Sequence, residues 1–465
     1  MDIRPLHFIA AACTGKIISG SGALPVPRIS TDSRDIQAGD LFLALAGEKF
    51  DGHDFLPDVV KKGAAAVLVN AGRARIDLGA CVVVEVADTR LAFGQIAAAY
   101  RREFSFPVVA VAGSNGKTTT KELIAAVLRQ RFATVWSQAS FNNDIGVPQT
   151  LLRFDQTHRA AVLEVGTNHP GELAPLLRMI QPKFGVITNI GREHLEFFSD
   201  LDGVAREEGM LAELLPADGK LFLNGDDVFT PALAARSQAQ VVRIGFGERN
   251  EWRAQGVRLS KEGSTFRVTA AKEEFNGEYR TGLLGRHQVS NALFALAVGA
   301  EFGLTRDELQ RGLGECKPAK MRLQLYEFNG VRVLDDAYNA NADSMLAALQ
   351  TLTDLPCKGR TVAVLGDMAE LGRHTEAAHR EIGRRAAELG VGQLFAVGKM
   401  AAVTAQAARQ AGLGRVMEFA NVEAAAGIVK NFLKSGDLVL LKASRSSHLE
   451  RLTEQLRAVE DVRKN

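Results

Sequence analysis

Tryptophan, tyrosine and cysteine are scarce in this sequence, and neither a strong net charge nor a long hydrophobic run is present. The 465 residues include 2 tryptophans, 4 tyrosines and 4 cysteines, and the formal net charge is +2. Such a charge argues against a protein dedicated to nucleic acid or to a membrane surface. No apolar run reaches the ~18 residues of a membrane span, and the N-terminus lacks the apolar core of a secretion signal. We therefore expect a cytoplasmic protein with no nucleic-acid partner and no membrane insertion.

The four cysteines are far apart along the chain and lack the spacing of a metal site. Cys13, Cys81, Cys316 and Cys357 are therefore expected to be reduced thiols with mostly structural roles. The composition, 46% hydrophobic and 24% charged, is that of a folded chain with a large core. A chain of this length is expected to form about three domains.

The most informative motif is a glycine-rich loop between a predicted strand and a predicted helix. This phosphate loop comprises Gly113, Ser114, Asn115, Gly116, Lys117, Thr118 and Thr119, and it follows the apolar run at 107–112. Backbone N–H groups of such a loop and the start of the following helix bind phosphate oxygens. Lys117 would reach the β- and γ-phosphates, and Thr118 would bind Mg²⁺. The alternative is a chance glycine turn, which the flanking strand and helix disfavour, so the motif predicts a nucleoside triphosphate site.

Predicted strands and helices alternate along most of the chain. The clearest strands are 41–45, 64–69, 160–164, 184–188, 220–224, 331–335, 361–366, 393–397 and 437–442, and the clearest later helices are 292–302 and 401–410. This alternation predicts an α/β fold with mostly parallel sheets, whose ligands bind beyond the carboxyl ends of the strands. We expect domains at 1–84, 85–316 and 317–465.

Further polar residues lie where such a fold places its chemistry. Glu164 ends a strand and could hold Mg²⁺, although a surface or capping glutamate is the alternative. His194 could bind metal or phosphate, although a lone histidine is more often structural. Asn291 could contact a nucleotide base or cap a helix. Asp336 and Asn339 suit ribose and phosphate contacts, or they form an ordinary polar loop.

Together these motifs resemble the Mur ligase superfamily. The loop is shortened, since Val111 rather than glycine stands six residues before the lysine, and this is typical of the superfamily. So are the runs at 32–34, 39–45, 51–55, 164–172 and 189–196. The runs at 141–148, 334–345 and 366–372 are similar to the branch that joins D-alanyl-D-alanine to a UDP-N-acetylmuramoyl tripeptide. The resemblance covers nearly the whole chain.

The resemblance implies an ATP- and Mg²⁺-dependent amide ligase of peptidoglycan precursor synthesis. In this family ATP phosphorylates the terminal carboxylate of UDP-N-acetylmuramoyl-tripeptide, and the amine of D-alanyl-D-alanine then attacks the acyl phosphate. The implied domains are a small α/β UDP-binding domain, a central phosphate-loop ATPase domain with a mostly parallel sheet, and a C-terminal Rossmann-like α/β domain. We expect a monomer in which the last domain closes over ATP.

The resemblance also implies roles for individual residues. Lys117, Glu164 and His194 are expected to be catalytic, and Thr118, Glu164 and His194 are the expected metal ligands. Nucleotide contacts are expected from the phosphate loop, His287, Asn291, Arg322, Asp336 and Asn339. Substrate contacts are expected from Ser33, Arg34, Asn143, Thr167, Asn168, Lys442 and Arg445, although the two basic residues could instead make ordinary salt bridges.

One position departs from the superfamily. Its members usually carry a lysine, carbamylated by CO₂, near a second metal ion, and here that position is Glu208. Glutamate offers the same charge on a shorter arm. We hypothesise that Glu208 is catalytic and replaces the carbamate, directly or through a water, which removes any requirement for CO₂. The alternative is an exposed helical acid, with the metal held by other groups.

Other functions fit parts of the sequence. A sister ligase that adds a single amino acid, or a folate polyglutamate ligase, would share the phosphate loop, but the runs at 335–341 and 366–372 argue against both. A non-catalytic nucleotide-binding scaffold is favoured only by the change at Glu208. The intact Lys117, Thr118, Glu164 and His194 argue against it.

Overall fold

Strands and helices alternate through most of the chain, which a computed structural model describes over residues 1–47, 49–73 and 78–463. The first elements are β1 (Arg4–Pro5), α1 (Leu6–Ala12), β2 (Lys16–Ile17), β3 (Pro25–Val26), β4 (Ile29–Ser30), β5 (Leu41–Leu43), α2 (Leu56–Lys61), β6 (Ala66–Asn70), β7 (Val82–Val86), α3 (Thr89–Arg101) and β8 (Val108–Ala112). Next are α4 (Lys117–Leu128), β9 (Thr134–Trp136), α5 (Gly146–Leu151), β10 (Ala160–Glu164), α6 (Leu173–Ile180), β11 (Phe184–Ile187), α7 (Leu195–Phe198), α8 (Leu201–Glu208), α9 (Met210–Leu214), β12 (Lys220–Asn224), α10 (Thr230–Ala235), β13 (Gln240–Gly245), β14 (Trp252–Ser260), β15 (Gly263–Ala270), β16 (Gly277–Thr281), α11 (Arg286–Glu301) and α12 (Arg306–Glu315). The last are β17 (Gln324–Phe328), β18 (Val331–Asp335), α13 (Ala342–Asp354), β19 (Thr361–Leu365), α14 (Thr375–Glu388), β20 (Gln393–Val397), α15 (Ala401–Gln410), β21 (Val416–Phe419), α16 (Val422–Phe432), β22 (Leu438–Lys442) and α17 (Glu450–Arg463).

These elements belong to two units, each built from several stretches of sequence. The first unit comprises Met1–Ala110, Phe132–Thr167 and Leu173–Phe184, and the second comprises Val111–Arg131, Asn168–Glu172 and Gly185–Asn465. The last two residues of the predicted third domain lie outside the described residues.

The first unit contains a five-stranded sheet in the order β2-β7-β6-β5-β4. Strands β4 to β7 are parallel and β2 is antiparallel at the edge. Phe42, Val67 and Val69 pack on one face with Leu56 and Val59 of α2. Apolar residues on successive parallel strands thus bury this face under a helix, as expected for α/β architecture. In the same unit β9 and β10 form a parallel pair.

The C-terminal part of the second unit is a six-stranded sheet in the order β17-β18-β22-β19-β20-β21. Only β17 is antiparallel to its neighbour. One apolar cluster includes Met345 of α13 and Ile382 of α14, and another includes Val429 of α16 and Leu452 of α17. Helices therefore cover both faces of a largely parallel sheet, and the predicted α/β class is confirmed.

The second unit also holds strands β11 to β16, in the order β16-β15-β14-β13-β12-β11. Strands β12, β13 and β14 are parallel, whereas β14, β15 and β16 run antiparallel. The sequence analysis did not predict this antiparallel extension. Its strands alternate buried and exposed residues, so they lack the continuous apolar runs that revealed the parallel strands.

One predicted helix was wrong at its start. The helix placed at 292–302 begins at Arg286, immediately after Gly285, whose φ is +113°. Five polar residues and Val289 therefore precede the apolar part of α11, and His287 and Asn291 lie within its first two turns. Other boundaries, including Ala160–Glu164, Lys220–Asn224 and Gln393–Val397, agree with the predicted ranges.

All four cysteines are free thiols. Cys13, Cys81 and Cys316 are buried and Cys357 is half-buried. Burial raises the pKa of Cys81 to about 11 and that of Cys316 to about 12. Within the described residues, no helix combines the length and apolarity needed to cross a bilayer.

Candidate active site

The two glycines of the phosphate loop are required by close packing. Gly113 follows the end of β8 with φ +105°, and a Cβ there would lie 2.7 Å from the backbone nitrogen of Thr188. Gly116 precedes α4 with φ +87°, and a Cβ there would lie 2.6 Å from Oδ1 of Asn291. Both positions combine left-handed backbone with no room for a side chain. The loop is therefore held against the end of β11 and the first turns of α11.

Lys117 folds back over the phosphate loop. Its Nζ donates to the carbonyl oxygen of Gly113 at 2.6 Å and to that of Ser114 at 3.3 Å. It also lies 3.3 Å from Oε2 of Glu193. Thr118, in the first turn of α4, is only 3% exposed. The ammonium group thus lies over the phosphate loop, and its contact with the β- and γ-phosphates stays a prediction.

The run Asn189–Ile190–Gly191 ties the phosphate loop in place. The Ser114 N–H donates to the Asn189 carbonyl at 2.9 Å, and the Asn189 amide donates to the Asn115 carbonyl at 2.9 Å. The N–H of Gly191 donates to the Ser114 hydroxyl oxygen at 2.8 Å. This run, known from the sequence only as a family motif, therefore has a physical role in shaping the loop.

Glu208 is fully buried beside the phosphate loop. Its exposure is 1%, so the alternative of an exposed helical acid is wrong. Oε2 accepts a hydrogen bond from the Gly113 N–H at 2.7 Å, while Oε1 has no hydrogen-bond partner among the described residues. Burial raises the pKa of this carboxyl to about 7, against the opposing influence of Lys117. Its replacement of a carbamate stays a prediction.

Glu193 is a second buried carboxyl at the loop, and sequence reasoning missed it. It is 8% exposed, and burial raises its pKa while the nearby Lys117 ammonium opposes that rise. Its position next to His194 in the Glu-His pair was the only available signal. Glu193 and Glu208 therefore both lie close to the Lys117 ammonium.

His194 contacts Glu370, which is far away in the sequence. It stands before α7 with φ +49°, and its Nδ1 lies 2.6 Å from Oε2 of Glu370. The nearby His194 imidazole lowers the pKa of Glu370. Glu370 belongs to the run 366–372, which the sequence analysis used only as a family motif.

Asp336 and His287, both predicted to contact nucleotide, lie close to Lys442. Asp336 accepts from the Leu323 N–H at 3.1 Å and from Nζ of Lys442 at 2.5 Å. Burial lowers the pKa of the nearby His287 to about 4, with Asp336 opposing this shift and Lys442 adding to it. His287 is therefore neutral at pH 7 and can act as a hydrogen-bond donor and acceptor.

Asn291 and Arg322 also have defined partners. The Asn291 side chain donates to Oε1 of Gln288 at 2.8 Å, and both residues are buried. The Arg322 guanidinium lies over the ring of Tyr338, 4.3 Å from its centroid. Asn291 thus lies against the phosphate loop at Gly116, while a nucleotide contact from either residue stays a prediction.

The two predicted basic substrate residues differ in environment. The Lys442 ammonium, besides its pair with Asp336, donates to the Asn339 carbonyl at 3.1 Å and is 3% exposed. Asn339 is exposed. Arg445 is 57% exposed and lies 3.5 Å from Glu450. Lys442 thus already makes an internal salt bridge, whereas Arg445 is accessible; their substrate roles stay predictions.

The loop after β18 reaches the phosphate loop directly. Asn341 donates from Nδ2 to Oδ1 of Asn115 at 2.9 Å. Close by, Arg192 pairs with Asp343 at 2.6 Å and with Glu381 at 2.5 Å. Hydrogen bonds and ion pairs at the phosphate loop therefore join residues that lie about 150 to 230 positions apart in the sequence.

Glu164 lies in the first unit, at the end of β10. It is 1% exposed, and its Oε1 accepts from Nδ2 of Asn142 at 2.9 Å. Its Oε2 is buried without a hydrogen-bond partner among the described residues. A buried polar oxygen without a partner is costly unless a cation or ligand satisfies it. The unpaired Oε2 makes Glu164 a candidate metal ligand, and that role stays a prediction.

The remaining predicted substrate residues are spread over loops. Ser33 accepts through its carbonyl from Nζ of Lys62 at 2.8 Å, and Arg34 is 87% exposed and paired with Asp32. Asn143 accepts from the Gly146 N–H at 2.9 Å at the start of α5, and Thr167 is buried. Asn168, in the second unit, is exposed. Nothing in these contacts alone assigns them a ligand.

An α/β chain with a glycine-rich loop after a buried strand, and a lysine folded over that loop, is a phosphate-loop nucleotide-binding protein. Three family models match it: "Mur ligase family, catalytic domain" at residues 25–101, "Mur ligase middle domain" at 111–299 and "Mur ligase, glutamate ligase domain" at 321–445. A relative from Escherichia coli (strain K12) is 37% identical over 92% of this chain and 93% of its own length. The chain belongs to the Mur ligase family.

The similar proteins carry consistent names. The Escherichia coli relative and one from Bacillus subtilis (strain 168), 36% identical over 92% of each chain, are both named UDP-N-acetylmuramoyl-tripeptide–D-alanyl-D-alanine ligase. A crystal structure of MurF from Acinetobacter baumannii matches with a TM-score of 0.88 and 32% identity, over 98% of this chain and 99% of that one. The similarity therefore extends over all three family domains.

Proposed function

We propose that the chain is an ATP-dependent ligase that joins D-alanyl-D-alanine to UDP-N-acetylmuramoyl-tripeptide, giving the pentapeptide precursor of peptidoglycan. The observation that carries the proposal is the contact between Asn341, in the run 334–345, and Asn115 of the phosphate loop. It unites the motif typical of this branch with the motif for ATP. Relatives with this activity in their names, matching over 92% of the chain, support the substrate pair.

The reaction has two steps. A carboxylate oxygen of the tripeptide attacks the γ-phosphorus of ATP, the bond to the β-phosphate oxygen breaks, and ADP leaves. The amine of D-alanyl-D-alanine then attacks the acyl carbon, phosphate leaves and the amine proton is lost. Phosphoryl transfer depends mainly on positioning and charge neutralisation. Lys117 supplies a positive charge to the transferred phosphoryl group, and the backbone N–H groups of the loop orient it.

The chain's residues suit Mg²⁺. The buried, unpaired Oε2 of Glu164 is an oxygen donor of the kind that this cation prefers. We propose Thr118, Glu164 and His194 as Mg²⁺ ligands, as the family resemblance implies. The metal would neutralise phosphate charge and draw the substrate carboxylate toward it. Because ATP and a nucleotide-linked precursor are the substrates, we also propose that the enzyme works in the cytoplasm; a monomer stays a prediction.

The proposed function is tested by ADP and phosphate release from the purified chain with ATP, Mg²⁺ and UDP-N-acetylmuramoyl-tripeptide. We expect release only when D-alanyl-D-alanine is added, with a pentapeptide product by mass spectrometry. Release with a single amino acid on a shorter precursor would instead indicate a sister ligase. Nucleotide binding without release of ADP or phosphate, whichever acceptor is added, would favour the alternative of a non-catalytic nucleotide-binding scaffold.

Glu208 is expected to make the activity independent of CO₂. In CO₂-free buffer the wild-type enzyme is expected to keep full activity, because its carboxylate needs no carbamylation. The Glu208→Ala variant should lose about 10²-fold in kcat, the scale for one lost electrostatic group, and bicarbonate should not restore it. In contrast, Glu208→Lys should gain activity when bicarbonate is added.

The matched control is Asp202→Ala, which removes an exposed acid from the same helix α8. Its activity should stay within about twofold of wild type, as for most surface substitutions. A bicarbonate requirement of the wild type, or a fully active Glu208→Ala variant, would contradict the role of Glu208.

A further inference from the structure

The carboxylate of Asp336 is held on both oxygens by other segments of the C-terminal region. Oδ2 accepts from Nζ of Lys442 at 2.5 Å, and Oδ1 accepts from the Leu323 N–H at 3.1 Å. The Asp336 N–H itself donates to the Leu441 carbonyl at 2.9 Å. A carboxylate offers about four lone-pair positions, so these two bonds leave acceptor capacity, and the side chain is 14% exposed. Asp336 is therefore fixed in place and still able to accept from a ligand.

The pairing of Lys442 with Asp336 follows from the register of the sheet. Strands β18 and β22 are parallel neighbours, and Asp335 lies opposite Leu441. The next residues, Asp336 and Lys442, therefore lie together where the carboxyl ends of the two strands reach the edge of the sheet. The Lys442 side chain is 3% exposed, and its other acceptor is the Asn339 carbonyl at 3.1 Å. A buried ammonium needs such a compensating carboxylate, so Asp336 is the main partner of the lysine.

The salt bridge lies beside the elements that surround the phosphate loop. Further along the loop that begins at Asp336, Asn341 donates to Oδ1 of Asn115 in the phosphate loop at 2.9 Å. His287, in the first turn of α11, is close enough to both charges of the salt bridge for each of them to affect its pKa, and α11 packs against the phosphate loop. Ribose hydroxyls are hydrogen-bond donors. A carboxylate in these surroundings therefore suits the ribose of a nucleotide whose phosphates occupy the loop.

We propose that Lys442 is a positioning residue for the nucleotide: it holds the Asp336 carboxylate in the orientation that accepts from the ribose hydroxyls, and it does not itself contact the tripeptide. Without the ammonium, only the Leu323 N–H would restrain the carboxylate, which could then rotate to another staggered rotamer. The loss would fall on recognition of the ribose and not on the phosphates. The inference rests on the proposed function for its nucleotide, but not for the amine acceptor.

The direct test is titration calorimetry of the full chain with Mg²⁺ and ATP, 2′-deoxy-ATP or 3′-deoxy-ATP. We expect the wild type to bind ATP about 10- to 100-fold more tightly than the analogue that lacks the contacted hydroxyl, the scale of one hydrogen bond to a charged group. Asp336→Ala should abolish this preference for ATP. Lys442→Met, which leaves the Asp336 carboxylate in place, should abolish most of it.

Further variants separate positioning from a loss of folding. Lys442→Gln, which keeps a donor without the charge, tests the same point independently of how well Lys442→Met folds. In the double variant Asp336→Ala/Lys442→Met, which leaves no buried charge of this pair, the preference should be the same as in Asp336→Ala, because a positioning residue has no effect once the positioned group is absent. The control is Lys430→Met, at an exposed lysine of α16, which should match the wild type.

Equal binding of all three nucleotides by the wild type would overturn the positioning role, as would folded Lys442 variants that keep the wild-type preference. If those variants keep the preference and raise the KM for UDP-N-acetylmuramoyl-tripeptide, the lysine contacts the substrate directly and the inference is wrong. If the preference changes as expected but no pentapeptide forms with D-alanyl-D-alanine, the proposed function fails while the positioning role stands.

Discussion

Replacement of Lys117 by alanine is expected to lower kcat by about 10³-fold or more, because phosphoryl transfer depends on cations placed around the transferred group. The Lys117 ammonium is 14% exposed and lies within 3.3 Å of both the loop carbonyls and Glu193. No other residue in the loop carries a positive charge. The measurement is the rate of ADP release with saturating substrates, together with ATP affinity by titration calorimetry.

Lys220→Ala is a suitable control for Lys117→Ala. Lys220 forms a surface pair with Glu301 at 2.5 Å, and such pairs contribute about 0–1 kcal/mol to stability. Its variant should keep wild-type kcat. A Lys117→Ala enzyme that retained a tenth of wild-type kcat would show that the lysine is not central to catalysis.

The second large effect is expected from Gly113→Ala. The added methyl group would lie 2.7 Å from the backbone nitrogen of Thr188 and 3.0 Å from the Asn189 carbonyl oxygen, at a φ of +105°. Backbone atoms cannot swing aside as a flexible side chain can, so the loop must move. We expect a loss of about 2–4 kcal/mol in unfolding free energy from overpacking and strain. A displaced loop should also lower kcat/KM for ATP by about 10²-fold.

Gly314→Ala makes the same chemical change in a permissive place. Gly314 lies in α12 with no atom within 4 Å of the added methyl group. A helix gains about 0.5–1 kcal/mol from this replacement, so thermal denaturation should show a slightly higher midpoint and unchanged activity. Equal midpoints for the two variants would mean that the Gly113 packing is looser than described.

Much of the fold could be predicted because buried parallel strands are continuous apolar runs. Ala160–Glu164 and Gln393–Val397 are both fully buried; the first follows Arg159, and the second lies between Gly392 and Gly398. The antiparallel strands Trp252–Ser260 and Gly263–Ala270 were missed because their exposed faces carry charged residues. The start of α11 was missed because its first turns bury polar groups such as Asn291.

The site was predicted where chemistry follows a local motif, and missed where it depends on distant segments. Lys117 and Thr118 stand in a loop whose spacing alone predicts phosphate binding. Nothing in the spacing of Glu370 or Arg192 indicates their partners, because 176 residues separate His194 from Glu370 and 151 separate Arg192 from Asp343. Glu193 was missed for another reason: what marks it is its burial beside Lys117, which the sequence alone does not show.

The buried Glu208 carboxyl makes the stability of the folded chain depend on pH. Its pKa is raised from 4.5 to about 7 by burial. Below pH 4.5 the carboxyl is neutral in the folded and unfolded chain alike. Between pH 4.5 and 7 the unfolded chain loses this proton while the folded chain keeps it, so folding becomes progressively less favourable, by roughly a few kcal/mol in all. A cation bound beside the loop would favour the ionised form, release the proton and recover part of that loss, so cation binding and the loss of stability as the pH rises from 4.5 to 7 are coupled in this enzyme.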